Sequence, residues 1–313
     1  MPGPRRPTVP RPLKNPRSLR VVIAGASGLI GTELTRQLRQ DGHTVTRLVR
    51  REPQRPDEFN WAPAAQMLEP RVIESADAVV NLAGASLARL PWTRRYRKEI
   101  LDSRVHSTRT LVEVMNSVAT PPVVFLNASA VGIYGDRPGE RLTESSPRGP
   151  GFLGDVVEAW ESTARLKPEQ TRLVTFRSGL VLGRRGALRP LVTLTKLGLG
   201  ARIGTGGDIW PWISLHDEAA AIRHLLTSTL SGPVNLVGPR PVPSDRILNE
   251  VARQLNRSYS LTVPTWAIKL AIQDAGKELI LSSQNIVPEK LLSDGFEFRH
   301  VRHEQAIRSM LFT

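Results

Sequence analysis

Three glycines spaced three residues apart are the first residues in this sequence whose types and spacing could do chemistry. They are Gly25, Gly28 and Gly31. Gly25 can adopt the backbone angles of a sharp turn, and Gly28 has no Cβ to keep a phosphate group away from the main chain. The free amides at the start of a following helix would bind the same phosphate. The spacing is also compatible with an ordinary turn, so the elements that flank it must decide.

The flanking elements are a strand and a helix. Four apolar residues precede Gly25 and predict a buried parallel strand. Apolar residues at helical spacing around and beyond Gly31 predict a helix that ends at Gly42. Strand, glycine loop and helix together form the unit that binds the pyrophosphate of a dinucleotide. The residues that we expect to contact the dinucleotide here are Gly25, Ser27, Gly28, Leu29, Ile30 and Gly31.

Two arginines after the second predicted strand indicate which dinucleotide is bound. The run Thr44–Val49 predicts this strand, and Arg50 and Arg51 follow it. NAD-specific proteins usually place an acidic residue here, which accepts a hydrogen bond from the ribose 2′-hydroxyl. Two guanidiniums would instead match the charge and geometry of a 2′-phosphate. The sequence therefore predicts NADP rather than NAD, although an arginine-rich chain could also carry arginines on this loop without that role.

Three further apolar runs predict strands whose carboxyl ends would meet at the dinucleotide. They cover residues 76–85, 123–128 and 173–178. Small residues at the end of a strand allow a cofactor to lie against the main chain, in the crevice where doubly wound folds bind ligands. The residues that we expect to line this crevice are Leu82, Ala83, Gly84, Ala128 and Ser178. The hydroxyl of Ser129 would face the nicotinamide.

The composition excludes several other kinds of site. The sequence of 313 residues contains no cysteine, which excludes disulfides, thiolate catalysis and cysteine-ligated metals. Its six histidines are scattered without a ligand spacing, so we expect no metal site. No apolar run reaches the length of a membrane-spanning helix, and no signal-peptide pattern follows the first arginines. We expect a soluble, cytoplasmic protein.

Part of the basic charge lies at the start of the chain. The net charge is +14, and residues 1–18 are rich in proline and arginine, which predicts a disordered basic tail. Charge alone would allow nucleic-acid binding, but aromatic residues make up 5% of the sequence and no nucleic-acid-binding motif stands out. We therefore expect a small-molecule substrate and no nucleic-acid partner, and the sequence leaves the oligomeric state open.

Taken together, the motifs resemble those of an extended-type short-chain dehydrogenase/reductase. Within that group the chain is similar to the atypical YfcH-like, NAD-dependent epimerase family, which carries a C-terminal domain of the DUF1731 type. The segments that carry the resemblance are residues 25–31, 81–84, 103–104, 107–109, 128–129, 134–136, 177–183, 211–217, 234–239, 284–292 and 295–298. They cover almost all of the chain after the tail.

The resemblance implies an α/β fold, with a Rossmann doubly wound parallel sheet and a small C-terminal α/β lobe. It divides the chain into an NAD(P)-binding domain over residues 19–240 and a C-terminal lobe over residues 241–313. Insertions that belong to the substrate lobe are expected from about residue 184.

The sequence departs from the family pattern at the catalytic residues. Short-chain dehydrogenases normally use a Tyr-x-x-x-Lys pair, in which the lysine lowers the pKa of the tyrosine so that it can transfer a proton. The corresponding residues 152–160 contain neither tyrosine nor lysine. Ser129 matches the serine of the usual catalytic set and would orient a carbonyl group. Tyr134 follows it and would act as an acid, or would pack in the interior.

Two classes of function remain at this point. The first is an NADP-dependent epimerase or oxidoreductase that acts on a small substrate, whose identity the sequence does not give. The second is a non-catalytic NADP-dependent sensor or scaffold, which could be associated with cell division. In this case the absence of the Tyr-x-x-x-Lys pair reflects a loss of catalytic activity. A nucleic-acid role through the tail rests on charge alone.

Overall fold

The computed structural model of the protein describes residues 18–312, except for the side chain of Asp274. The disordered tail predicted for residues 1–18 therefore lies outside the described residues, apart from Ser18. The hydroxyl of Ser18 donates a hydrogen bond of 2.7 Å to the carbonyl oxygen of Gly42.

The first half of the chain forms strands and helices, and hydrophobic runs predicted those at residues 20–24, 29–40, 44–49, 78–81 and 124–130. The elements are β1 (Arg20–Ala24), α1 (Leu29–Gln40), β2 (Thr44–Val49), β3 (Glu58–Ala62), β4 (Met67–Leu68), α2 (Pro70–Glu74), β5 (Ala78–Asn81), α3 (Arg94–Ser117) and β6 (Val124–Ala130). Short 3-10 turns cover Pro63–Ala65 and Val131–Tyr134.

The second half begins with longer elements and continues with many short strands. They are β7 (Arg137–Leu142), α4 (Phe152–Ala164), β8 (Arg172–Ser178), β9 (Leu180–Leu182), α5 (Arg189–Lys196), β10 (Ala201–Ile203), β11 (Ile209–Trp210), β12 (Trp212–Ser214), α6 (Leu215–Thr227), β13 (Gly232–Leu236), β14 (Val242–Pro243), α7 (Ser244–Gln254), β15 (Leu261–Val263), α8 (Thr265–Leu279), β16 (Gln284–Ile286), α9 (Glu289–Ser293) and α10 (His303–Phe312). Helix α8 is kinked at Gln273, where φ is 46° and ψ is −130°.

The central sheet has eight strands in the order β13-β8-β6-β5-β1-β2-β3-β4. All neighbouring pairs are parallel except β3 and β4. The chain adds β2 and β3 on one side of β1 and then crosses to add β5, β6 and β8 on the other. This reversal between β1 and β5 is the topological switch point at which doubly wound folds bind ligands. The predicted fold, a Rossmann doubly wound parallel sheet, is confirmed.

Helices bury both faces of the sheet, as a parallel sheet requires. Because side chains alternate along a strand, Val21 and Ile23 of β1 join the core under α1 and α6, whereas Val22 and Ala24 join the core under α2 and α3. Strand β1 is therefore apolar on both faces, and the glycine loop after it starts from a rigid base.

The C-terminal part of the chain packs directly on the central sheet. Strand β16 runs parallel to β7, and Leu291 and Phe296 join the core cluster that contains β13. The carboxylate of Glu278 on α8 accepts hydrogen bonds from the backbone amides of Phe152 at 2.9 Å and Leu153 at 2.7 Å, at the start of α4. A domain boundary near residue 240 remains a prediction. Among residues 18–312, no helix is long and apolar enough to cross a membrane.

Candidate functional site

The loop between β1 and α1 is packed so closely that glycine is required at two positions. Gly25 has φ of +80°, and a Cβ added there would lie 2.7 Å from the carbonyl carbon of Leu82 at the end of β5. A Cβ on Gly31 would lie 2.4 Å from the carbonyl oxygen of Gly25. Any larger residue would push α1 or β5 away, so these glycines bring the start of the helix against the ends of two strands.

Gly28, in contrast, is exposed and less crowded than Gly25 and Gly31. It precedes the first residue of α1, and a Cβ there would meet only the carbonyl oxygen of Gly25, at 3.3 Å. No side chain caps the helix, and its first turn, which begins with Leu29 and Ile30, holds no acidic residue. Ser27 is also exposed. The open amides and the positive end of the helix dipole therefore fit the pyrophosphate of a dinucleotide.

The end of β5 lies beside the glycine loop, as the sequence predicted. The amide of Leu82 donates to the carbonyl oxygen of Ala24 at 2.8 Å, and the amide of Ala83 donates to the side chain of Asn81 at 3.2 Å. Gly84 follows and is exposed. Three of the predicted contact residues thus form one edge of the crevice.

A buried guanidinium stands next to this edge. Nη1 of Arg104 on α3 donates to the carbonyl oxygens of Ile100 at 3.0 Å and Ala85 at 3.2 Å, and its Cζ lies 5.1 Å from the ring centroid of Trp160. Burial lowers the pKa of Arg104 to about 10, so the side chain remains charged at neutral pH. Within residues 18–312 no carboxylate pairs with it. Arg104 belongs to a matching segment, but sequence reasoning did not assign it to the site.

The two arginines after β2 differ in their contacts. Arg50 is exposed and makes no hydrogen bond or ion pair with another described residue. Nη1 and Nη2 of Arg51 donate to the two carboxylate oxygens of the buried Glu58, at 2.9 Å each. Both arginines lie at the predicted edge of the crevice, but only Arg50 has all of its donors available.

Ser129 forms part of a buried ion-pair network. Its Oγ donates to Oε1 of Glu161 on α4 at 2.6 Å, and Glu161 binds Arg177 of β8 through contacts of 2.9 and 3.0 Å. The neighbouring Ala128 and Ala130 lie on the opposite face of β6, because side chains alternate along a strand. The hydroxyl of Ser129 is therefore bound to an interior carboxylate in this conformation.

Tyr134 belongs to the same network. Its side chain is fully buried, its hydroxyl donates to Oδ1 of Asn235 at 2.7 Å, and the hydroxyl accepts from Nη1 of Arg177 at 2.9 Å. Burial raises the pKa of Tyr134. These contacts agree with packing in the interior, which was the alternative to a catalytic role, and they give that catalytic role no support.

Helix α4 presents an apolar face where related enzymes carry the proton-transfer pair. Leu153, Val156, Val157 and Trp160 are all buried. A Cβ added to Gly132 would lie 2.9 Å from that of Leu153, so the loop after β6 packs closely on this face. The buried ionisable residue of α4 on this side is Glu161, one turn beyond Val157, and its carboxylate is held by Arg177 and Ser129. Neither a tyrosine nor a lysine stands on this face to transfer a proton.

A second buried carboxyl lies at the end of β8 and was missed by sequence reasoning. The hydroxyl of Ser178 donates to Oε1 of Glu218 on α6 at 2.5 Å. Glu218 is fully buried, and its Oε2 has no hydrogen-bond partner in the described part of the chain. Burial raises the pKa of Glu218 to about 8. The available signal was helical spacing, since Glu218 shares the sheet-facing side of α6 with the buried Ile222 and Leu225.

The site thus combines three chemical features along the carboxyl edge of the sheet. The glycine loop and the start of α1 can bind a pyrophosphate. Arg50 and Arg104 offer positive charge on either side of it. Ser178 and Glu218 place a hydroxyl and a buried carboxyl at the carboxyl end of β8, on the side of the sheet opposite to β2.

Comparisons with known proteins place the chain in a family. Residues 21–154 match the model of the NAD dependent epimerase/dehydratase family, and residues 263–310 match DUF1731, a domain of unknown function. The epimerase family protein MT2273 of Mycobacterium tuberculosis is 38% identical over 283 residues, which cover 90% of this chain and 93% of that protein. Human epimerase family protein SDR39U1 is 32% identical over 285 residues, covering 90% and 95%.

Solved structures agree with these matches. The crystal structure of human SDR39U1 (isoform 2) with NADPH superimposes with a TM-score of 0.86 at 30% identity, covering 93% of this chain and 99% of the other. A structure described as a nucleoside-diphosphate sugar epimerase from Corynebacterium glutamicum gives a TM-score of 0.78 at 31% identity, and this chain covers 58% of it. The family predicted from the sequence is confirmed: the chain belongs to the NAD dependent epimerase/dehydratase family, is similar along most of its length to epimerase family proteins such as SDR39U1, and carries a C-terminal DUF1731 segment.

Proposed function

We propose that this protein binds NADP and uses it in an epimerase or oxidoreductase reaction on a small substrate. The observation that carries the proposal is the glycine loop, which is closed by packing at Gly25 and Gly31 and open at Gly28. That arrangement fits a pyrophosphate on the first amides of α1. The NADPH that accompanies the human relative SDR39U1 supports the same cofactor here.

The preference for NADP over NAD would come from the end of β2. Arg50 would bind the 2′-phosphate directly, and Arg51 would add charge while it holds Glu58. The full set of residues that we propose to contact the cofactor is Gly25, Ser27, Gly28, Leu29, Ile30, Gly31, Arg50, Arg51, Leu82, Ala83, Gly84, Ala128 and Ser178.

Chemistry at the nicotinamide needs a proton donor or acceptor beside the hydride that the bound cofactor supplies. Ser129 stays the predicted residue for orienting a carbonyl, but its hydroxyl must first leave the carboxylate of Glu161. Arg104 would attract a substrate that carries an oxyanion, because its charge has no carboxylate partner within residues 18–312.

A non-catalytic NADP-dependent sensor is the second candidate function. It is favoured by the apolar face of α4 and by the hydroxyls of Ser129 and Tyr134, which are both engaged in the buried network around Arg177. A protein of this kind would change shape or partner on binding NADP without exchanging hydride.

Two measurements test these functions in order. Calorimetric titration of the full chain with NADPH and NADH is expected to show tighter binding of NADPH. Incubation of NADPH deuterated at C4 with small carbonyl compounds is then expected to move deuterium into one substrate class if the protein is a reductase. If it is an epimerase, incubation of the NADP⁺-loaded protein with nucleotide sugars is expected to invert one carbon through hydride transfer to the cofactor and back. Binding without any transfer would favour the sensor, and no binding of either dinucleotide would refute both functions.

A further inference from the structure

The carboxyl of Glu218 is unusual because the fold encloses it almost without partners. It is fully buried, accepts one hydrogen bond, from Ser178, and leaves Oε2 unpartnered among the described residues. A buried carboxylate without a cation is costly, whereas a protonated carboxyl is much less so. Burial accordingly raises the pKa of Glu218 to about 8.

The charged groups on the neighbouring elements all face other partners. Asp217, next to it on α6, accepts from the backbone amides of Arg299 and His300 at 2.9 and 3.0 Å. His216 lies 3.8 Å from Glu33 of α1. On α1, Arg36 pairs with Glu33 and Arg39 with Asp57. On β8, Arg177 pairs with Glu161, and Arg172 donates to backbone carbonyls at the other end of α6. The remaining charged residues of α6 are Arg223, which pairs with Asp41, and His224, which lies 2.7 Å from Asp294. Strands β9 and β12, which also pack on α6, carry no charged residue.

The position of the pair relates it to the crevice. Ser178 is half-buried at the carboxyl end of β8. Strands β5, β6 and β8 lie on the side of the switch point opposite to β2, where Arg50 would bind the adenosine end of NADP. The nicotinamide end would therefore reach towards β6 and β8. On that side α4 offers apolar side chains and the carboxylate of Glu161, which is already engaged by Arg177 and Ser129.

We infer that Ser178 and Glu218 form a proton-holding pair at the nicotinamide end of the crevice, in place of the missing tyrosine and lysine. This inference rests on the proposed function, since it assumes that a nicotinamide binds there. Glu218 keeps a proton out of solvent, and Ser178 transmits it to an oxygen of the substrate.

The proton transfers balance in both directions. When a carbonyl is reduced, the bound cofactor supplies hydride to the carbonyl carbon. For this step the hydrogen bond between the pair reverses: the hydroxyl of Ser178 turns from Oε1 of Glu218 to the substrate, and Oε1 carries the proton of Glu218 and donates to Oγ. The O–H bond of Ser178 then breaks as its proton moves to the carbonyl oxygen, and Oγ takes the proton from Oε1. Glu218 is left as a carboxylate. Oxidation of an alcohol reverses each transfer, so an epimerase would return the proton to Glu218, whereas a net reductase would recover it from solvent.

Calorimetry in buffers of different ionisation enthalpy tests the pair without a substrate. NADP⁺ and NADPH both carry the 2′-phosphate, but only NADP⁺ has a charged ring. The positive ring would favour the carboxylate form of Glu218, so NADP⁺ binding near pH 8 is expected to release more protons than NADPH binding does. If the pKa of Glu218 falls by one unit, the affinity ratio of NADP⁺ to NADPH should rise up to about tenfold between about pH 6 and about pH 9.

The chain offers a matched control. Glu144 is also a buried carboxyl with an unpartnered Oε2, but its Oε1 accepts from the backbone amides of Asn235 and Lys290, on the β13 side of the sheet. Glu218→Gln should abolish the difference in proton release between the two cofactors, and Glu144→Gln should keep it. A wild-type protein without the difference, or a Glu218→Gln variant that retains it, would overturn the inference.

A second measurement remains decisive if Glu218→Gln does not fold. In protein labelled with ¹³C-glutamate, isotope-edited infrared spectra at neutral pH should show the band of a protonated carboxyl, and this band should disappear as the pH is raised above about 8. The Glu144→Gln variant should show the same band with the same pH dependence. Absence of that band would overturn the inference even if NADP binds. If the band is present and neither cofactor binds, the proposed function fails and the placement of the pair at a nicotinamide fails with it.

Discussion

Replacing the two arginines after β2 one at a time should separate cofactor preference from stability. Arg50→Ala removes an exposed guanidinium that no other described residue engages. Arg51→Ala removes a guanidinium that donates two hydrogen bonds of 2.9 Å to Glu58. The two variants lose the same charge, so any difference between them reports how each guanidinium is used.

The contacts set the expected size of each effect. A hydrogen bond to a charged group contributes about 1.5–3 kcal/mol, and solvent exposure favours the lower value. About 1.4 kcal/mol corresponds to tenfold in affinity. Arg50→Ala should therefore weaken NADP binding by about ten- to thirtyfold. Arg51→Ala should weaken it by only about threefold, as expected of a nearby charge, but it should lower Tm because the buried Glu58 loses an ion pair.

The assay is calorimetric titration with NADP and NAD on the wild type and both variants, together with thermal unfolding of each protein. NAD affinity should stay constant in both variants, because NAD has no 2′-phosphate. Added salt should reduce the difference between wild type and Arg50→Ala, since both the guanidinium and the phosphate are exposed to screening.

Equal affinity of the wild type for NADP and NAD would refute this reasoning. A loss of NADP affinity that is larger in Arg51→Ala than in Arg50→Ala would also refute it. In that case Arg51 would have to leave Glu58 when the cofactor binds.

Three further predictions concern the loop, the buried network and acid stability. Gly28→Ala should lose dinucleotide affinity and lower Tm only slightly, because its Cβ would lie 3.3 Å from the carbonyl oxygen of Gly25. Gly25→Ala should lower Tm much more, because its φ is +80° and its Cβ would lie 2.7 Å from backbone; equal Tm losses in both variants would contradict this. Glu161→Gln should lower the free energy of unfolding in urea by about 3–5 kcal/mol, because the guanidinium bound to it is left buried and unpaired; a loss below about 1 kcal/mol would indicate that the pair is not buried in solution. Hydrogen bonds from His300 and from backbone amides hold the pKa of Asp217 below its usual 3.8 despite burial. The stabilisation of the folded protein by ionised Asp217 is fully present above pH 3.8 and is lost as the pH falls through the lower pKa of the folded state. Asp217→Asn should therefore flatten the acid side of a plot of Tm against pH.

Local patterns predicted most of the fold because each depends on neighbouring residues. The strand before Gly25, the helix that ends near Gly42 and the strand Thr44–Val49 were all predicted from local patterns, and the structure has these elements at those residues. Gly25 and Gly31 make the close approaches that the glycine motif predicted. The family followed from the same motifs, and the comparisons confirm it.

The contents of the candidate site were harder to predict because they depend on which face a side chain occupies. Ser129 stands at the expected strand end, but alternation along β6 directs its hydroxyl to Glu161 instead of to the opposite face. Glu218 lies in a run that reads as an ordinary helix, and only the packing of α6 on the sheet shows that this carboxyl is enclosed. The partner of Arg51 is seven residues away in sequence, and the parallel pairing of β2 with β3 brings the two together.

The hydrogen bonds from the start of α4 to Glu278 bear on how this family can be divided and recombined. The carboxylate belongs to the segment matched by DUF1731, while the amides of Phe152 and Leu153 belong to the last residues of the segment matched by the epimerase model. Exchange of C-terminal segments between relatives would leave those amides uncapped unless the incoming segment brought an equivalent acceptor. In this chain the start of α4 and its distant cap therefore form one structural unit, and a chimaera joined between the two matched segments must preserve that pairing to retain a cooperative unfolding transition.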